Sequence, residues 1–299
     1  MRNKVYGIST LLIIIIVFLL ITFGIKSPKR DVTHDVTKQS GESATQLSLG
    51  DIVKSNKLKL FFISKGNVTR KSTISQLVAV KGKTAAIYNL NDESQHRELT
   101  DGFADEDFIN KYQKLQSKDV TIKDLEKLSE DEILKLARDR DKESFNLTKF
   151  LAQDTLKQQQ NTEVEDSDRA ENSVVKDKVT KKEASASYAS PKYVDFKVVG
   201  EDNGRDEKLV KEIVTFYSTN TWKATLDSND PVSQDVEVTM YGGQQNFKAT
   251  VDETNFIGIG STSDSDDTMM FSKTNKISNS FVLDKYHNSI ISSISESDD

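Results

Sequence analysis

The acidic string Asp264-Ser265-Asp266-Asp267 is the sharpest place in this chain to look for chemistry. Carboxylates at alternate positions of a loop can ligate Ca²⁺. A calcium loop of the EF-hand type also needs a central glycine and a distal glutamate, and the residues after Asp264 supply neither. A solvated turn is the expectation, and the same reading covers Glu163-Val164-Glu165-Asp166-Ser167-Asp168. The three histidines, His34, His96 and His287, are isolated and lack metal-ligand spacing, so no metal site is expected. Cysteine is absent, which excludes disulfides, thiolate metal sites and cysteine nucleophiles. Gly258-Ile259-Gly260 does not open an apolar helix and reads as a strand end, not a phosphate loop; no G-x-S-x-G elbow occurs. With 47 acidic residues, carboxylate pairs suited to acid–base work cannot be told apart by spacing. Trp222 could line a ligand pocket, but Ala224 and Leu226 share its strand face, which favours core packing. Arg70, Lys71, Lys81 and Lys83 make a mildly basic patch beside two turns. No catalytic, ligand-binding or metal residue is assigned, no cofactor is expected, and catalysis is not expected.

The elements around these residues begin with an apolar run. Val5 to Ile25 carries no charge, and at about 1.5 Å per residue a helix over it spans roughly 30 Å, the thickness of a bilayer core. The run exceeds the h-region of a signal peptide and lacks a good cleavage site, so a transmembrane anchor over residues 1–26 is expected. Secretion after signal cleavage is the alternative. Lys26, Lys29 and Arg30 come directly after the span and pull against an outside C-terminus. A first span with a basic N-tail, Arg2 and Lys4, instead delivers the downstream chain across the membrane. Large cysteine-free chains are also common among exported proteins of Gram-positive bacteria. The expected topology is a cytoplasmic N-terminus with an extracellular body.

The chain has 299 residues, 41 of them basic and 47 acidic. Residues 1–30 hold five basic and no acidic residues, leaving 36 basic against 47 acidic and a net charge of −11 beyond them. Such a body is repelled by phosphate backbones, so no nucleic-acid partner is expected. At 35% hydrophobic and 29% charged, with much apolar content spent in the N-terminal run, the remainder suits small cores.

Residues 27–50 read as a stalk linker with a DVT-x-DVT duplication at Asp31–Thr37. Residues 51–150 read as a small α+β module. Strands are expected at 58–63, 77–80 and 85–88, then a helix within 103–116 and two helices starting at Thr121 and Ser129. Both starts combine a capping-box pattern with a hydrophobic staple. The strings VTIKDLEKLSEDEILKLARDRDKESF (120–145) and LFFISKGNVTR (60–70) resemble a segment of poorly characterised surface proteins and lipoproteins of lactic-acid bacteria. The resemblance implies a surface location and carries no catalytic signature. This chain lacks a lipobox cysteine, so lipid anchoring does not carry over.

Residues 151–191 read as a disordered charged linker, too poor in apolar side chains to offset ordering entropy. Residues 192–299 read as a mainly β module, a curved sheet or small barrel, with one helix expected over 206–217 from the spacing of Leu209, Val210, Ile213, Val214 and Tyr217. The strings at 222–227 and 247–252, WKATLD and FKATVD, match closely. The expected whole is an α+β chain with a transmembrane helix, a small αβ module and a mostly antiparallel β module. Its expected function is that of a membrane-anchored binding module at the bacterial cell surface, contacting an envelope polymer or surface protein. A small-ligand carrier with Trp222 and Phe247 facing a barrel interior comes second, and a carboxylate-dependent envelope hydrolase third.

Overall fold

The computed structural model describes residues 46–65, 68–91, 106–161, 181, 184–204, 207–219, 235–242, 248–261, 268–275 and 279–296. All of them belong to one compact unit, Ser43–Asp299. The fold is mixed α+β, dominated by a mostly antiparallel sheet with few helices. Among the described residues no helix is long and apolar enough to cross a membrane, and the apolar run at 5–25 lies outside them.

The chain enters through β1 (Gln46–Leu47) and α1 (Leu49–Ser55), so the expected stalk gives way to folded chain before its expected end at residue 50. β2 (Lys59–Lys65), β3 (Ile74–Lys81) and β4 (Thr84–Asn89) form the expected antiparallel meander. Then come α2 (Glu106–Leu115), α3 (Ile122–Leu125) and α4 (Glu130–Asn161). Both expected caps are present: Asp124 accepts from the backbone and hydroxyl of Thr121, and Glu132 accepts from both groups of Ser129. α4 continues well past residue 151, where the linker was expected to begin, because Leu151 and Ala152 are buried. Within that same expected linker, Ala184 and Ala186 accept from Gln153 and Lys149 of α4.

The second half supplies β5 (Val194–Asp195), β6 (Lys197–Asp202), β7 (Leu209–Phe216), β8 (Val236–Tyr241), β9 (Lys248–Val251), β10 (Thr254–Ser261), β11 (Thr268–Thr274), β12 (Ser280–Phe281) and β13 (Ser293–Glu296). The helix expected over 206–217 is strand β7 instead. Four β-branched residues in it, Val210, Ile213, Val214 and Thr215, favour the extended chain, and β6 and β8 pair along both of its edges. The strand expected at 222–227 lies outside the described residues.

The two expected modules share one sheet. β11 pairs antiparallel with β2, placing Phe271 beside Phe62, and the eleven-stranded sheet runs through both halves of the chain. Its path also returns to its start. The segment 194–202 pairs with β4 through β5 and with β7 through β6. Around the loop stand that segment, β7, β8, β10, β11, β2, β3 and β4: eight ladder positions of a barrel, with β9 continuing the β8 side of β10. β8 pairs with β10 in register at Ser261 and Thr239 alone. Gly260 makes this approach possible, since a Cβ there would overlap the Thr239 carbonyl oxygen. The Gly258–Gly260 stretch expected to end a strand is thus a bulge inside β10.

Alternation along the strands separates two cores. Phe61, Val78, Ile87, Val198, Phe216, Val238, Ile257 and Met270 point inward from the eight positions and pack together. Leu49 and Ile52 of α1, with Phe281 and Ile290, join the same cluster. The outward residues Phe62, Leu77, Ala79, Tyr88, Phe256 and Phe271 are covered by Ile122 and Leu125 of α3 and Ile133, Leu134 and Ala137 of α4. Short strands could not hold this shape without that helical cover.

Candidate functional site

β7 turns Leu209, Glu212, Val214 and Phe216 to buried positions, so an acid occupies a place where its neighbours are apolar. Glu212 is 0% exposed. Across the ladder it faces Gly200 on β6 and Met240 on β8, neither of which brings a charge. Its Oε1 accepts from the backbone N–H of Asp284, and its Oε2 is buried without a hydrogen-bond partner among the described residues. Burial pushes the Glu212 carboxyl up to about 7; the Asp284 N–H bond works against that rise and the Asp284 charge adds to it.

Asp284 is itself buried and ties three segments together. Its Oδ1 accepts from the Ser48 hydroxyl at 2.6 Å and from Asn288 Nδ2 at 2.7 Å. The Gly50 N–H donates to both carboxylate oxygens, at 3.1 and 2.9 Å. Burial raises the Asp284 carboxyl, while the bonds from Ser48 and Gly50 oppose the rise. Ser48 is the N-cap of α1, and its hydroxyl also receives the Asp51 N–H. Position 50 must be glycine, because a Cβ there would overlap Asn288 Nδ2 and Asp284 Oδ1. The result is a dry acidic pair where α1, β7 and the 282–292 segment meet. Ionising Glu212 is costly because it is fully buried, and the nearby Asp284 charge adds to that cost, so the arrangement can hold a proton near neutral pH.

A second feature is a surface cleft of about 270 Å³ between the end of α2 and α4. Its one acid is already held: Glu143 Oε2 accepts from Ser117 Oγ at 2.5 Å and from Arg140 Nη1 at 2.8 Å. The barrel interior, by contrast, is filled. Its cavity among Phe61, Val214, Phe216, Met240 and Met270 measures about 10 Å³, against roughly 300–1,000 Å³ for a pocket that holds a small molecule.

Of the residues weighed from sequence, Trp222, Phe247, His34, His96, the 264–267 string and the 163–168 string all lie outside the described residues. His287 lies 3.3 Å from Glu207 at the exposed surface. The basic patch is not one patch. Arg70 precedes β3 and is taken by Glu126 at 3.3 Å and Asp252 at 2.8 Å, whereas Lys81 and Lys83 lie at the far end of that strand. Among the described residues no group of three or more His, Asp or Glu could hold a metal ion. Glu212, Asp284 and their partners were not picked out from sequence. The available signal was an acid inside a β-branched apolar stretch, legible only once that stretch is read as a strand.

Comparison with protein-family models, curated proteins and solved structures finds no match for this chain.

Proposed function

We propose that this chain is a single-pass, membrane-anchored binding protein of the bacterial cell surface, with a cytoplasmic N-terminus and a body outside the membrane. The observation that carries the reading is the uncharged run from Val5 to Ile25, long enough for one span. The resemblance of 60–70 and 120–145 to surface proteins of lactic-acid bacteria points the same way, and the acidic body makes nucleic acid an unsuitable partner. A barrel packed through its middle leaves its outer surface for binding. Tyr193, Tyr217 and Tyr241 are its exposed large apolar side chains among the described residues, a residue type suited to contacting a polymer or another protein. The reading assigns no catalysis. The packed interior also weighs against the carrier, whose pocket would need space among the same side chains.

Protease shaving of intact cells, with a tag at each end of the chain, tests the placement. Loss of the C-terminal tag with retention of a protected N-terminal fragment is the expected outcome. A C-terminal tag that resists protease on intact cells and becomes cleavable after lysis would overturn it. Binding is tested separately. Tyr193→Ala with Tyr217→Ala should weaken retention on cell-envelope preparations without lowering thermal stability, and unchanged retention would remove those tyrosines from the contact.

A further inference from the structure

The described residues hold several buried polar groups, and most are engaged. Asp141 accepts from the Asn89 backbone at 3.0 Å and from the Tyr188 hydroxyl at 3.0 Å, fastening α4 to β4. Lys273 Nζ donates to the carbonyls of Leu125, Glu126 and Leu128. In the cleft between α2 and α4, Glu143 is held by Ser117 and Arg140. Glu126 and Glu212 each leave one carboxylate oxygen without a partner among the described residues, but Arg70 pairs with Glu126, whereas Glu212 lies among inward-facing apolar residues and the residue it bonds holds the entry helix.

We propose that Glu212 and Asp284 form a proton-operated latch on α1: with Glu212 neutral the latch is closed, and with Glu212 ionised Asp284 and α1 loosen together. The chain of contacts is short. Glu212 holds the backbone of Asp284, and the Asp284 carboxylate holds Ser48 and Gly50 at the first turn of α1. Leu49 and Ile52 of that helix are packed into the barrel core. Ionising Glu212 strengthens its bond to the Asp284 N–H. It also buries a poorly screened charge near the Asp284 carboxylate, with a second oxygen that has no hydrogen-bond partner among the described residues. That larger cost is relieved when the 282–292 segment and α1 loosen and admit water. The other groups acting on the pair are few. Asp51 on α1 adds to the repulsion at Asp284 and Lys54 on the same helix relieves it, while Gly200 and Met240 across the ladder are neutral. On the 282–292 segment, His287 is turned to the surface beside Glu207. The proton is exchanged with solvent, and no other co-reactant is required. The latch stands on these contacts whether or not the chain is anchored in a membrane.

The experiment is hydrogen exchange by mass spectrometry on the full chain in lipid nanodiscs, with protection corrected for the pH dependence of intrinsic exchange. Protection of peptides covering 49–55 should fall at least about tenfold between about pH 5.5 and 8.5, while peptides covering β3 change less than about twofold. Glu212→Gln, which cannot ionise, should make the α1 peptides insensitive to pH. Asp284→Asn, which removes the opposing charge, should move the wild-type midpoint to lower pH. A flat wild-type response overturns the proposal, as does a Glu212→Gln response equal to wild type. Should Glu212→Gln fail to fold, an unmoved midpoint in Asp284→Asn overturns it equally.

Discussion

Glu212 keeps its proton in the folded chain at a pH where the same residue, exposed in the unfolded chain, has already lost it. Its carboxyl stands near 7 when buried and at the ordinary 4.5 when free. Raising the pH through that window therefore draws protons from the folded state alone and favours unfolding. The linked loss is at most about 3 kcal/mol, complete above neutral pH and absent below about pH 4.5. Urea unfolding at pH 5 and pH 8 should show a larger drop for wild type than for Glu212→Gln, and the difference reports Glu212 together with its coupling to Asp284. Gly50 gives a second expectation at the same site. Gly50→Ala must displace Asp284 or Asn288 and should destabilise by about 1–3 kcal/mol, measured in the same assay. The residue that matters most here is also the one that hides its strand. An inward acid breaks the alternation of Val214 and Phe216, and a register shift at Glu201–Asp202 opposite it adds a residue, so the apolar positions fall at helical spacing.

Other elements were legible because their local chemistry agrees with their packing. Capping of α4 rests on Ser129 and Glu132, whose carboxyl is held below the ordinary range by the bonds from the Ser129 backbone and hydroxyl. Ser129→Ala should lower stability by about 1 kcal/mol, read as a drop in the urea midpoint. The strands β2, β3 and β4 announced themselves by β-branched and aromatic runs separated by turns. A tie between elements has no such signature. Lys273 on β11 reaches the carbonyls that close α3, and nothing in the string FSKT distinguishes it from a solvated lysine. Lys273→Met removes a charged donor from all three carbonyls, of which Leu125 keeps the Leu128 N–H and Glu126 the Thr254 hydroxyl, and should destabilise by about 1–3 kcal/mol, visible as faster exchange in peptides spanning α3.

At the scale of the whole molecule the division into two modules is where local reading stops. Phe62 and Phe271 are neighbours in the sheet though they stand at opposite ends of the folded chain, and no local pattern encodes that pairing. The outer core makes the dependence mutual, since Phe256 and Phe271 pack with Leu60, Leu77 and Ile133. Removing residues 192–299 should leave 51–150 without stable structure, seen as loss of dispersed amide signals and of cooperative unfolding. A truncated chain that melts cooperatively would mean that the first half carries its own core. Substitution at Gly260 addresses the opposite seam: a side chain there would strike the Thr239 carbonyl and Val238, so Gly260→Val should open the one β8–β10 register pair and lower the melting temperature.

The parallel pairing of β1 with β12 has a mechanical meaning. Leu47 accepts from the Val282 N–H at 2.9 Å, and the two strands run in the same direction for only two residues each. Tension arriving through the chain before Gln46, with the barrel held through the segment after Phe281, pulls opposite ends of this ladder. Its bonds are then strained together in shear and do not unzip one at a time. Behind it stands the Ser48–Gly50–Asp284 cluster, a second catch in series with the first. The entry of the folded chain is therefore built as a short fuse with a backstop, and under the proposed latch its breaking strength would track the charge on Glu212.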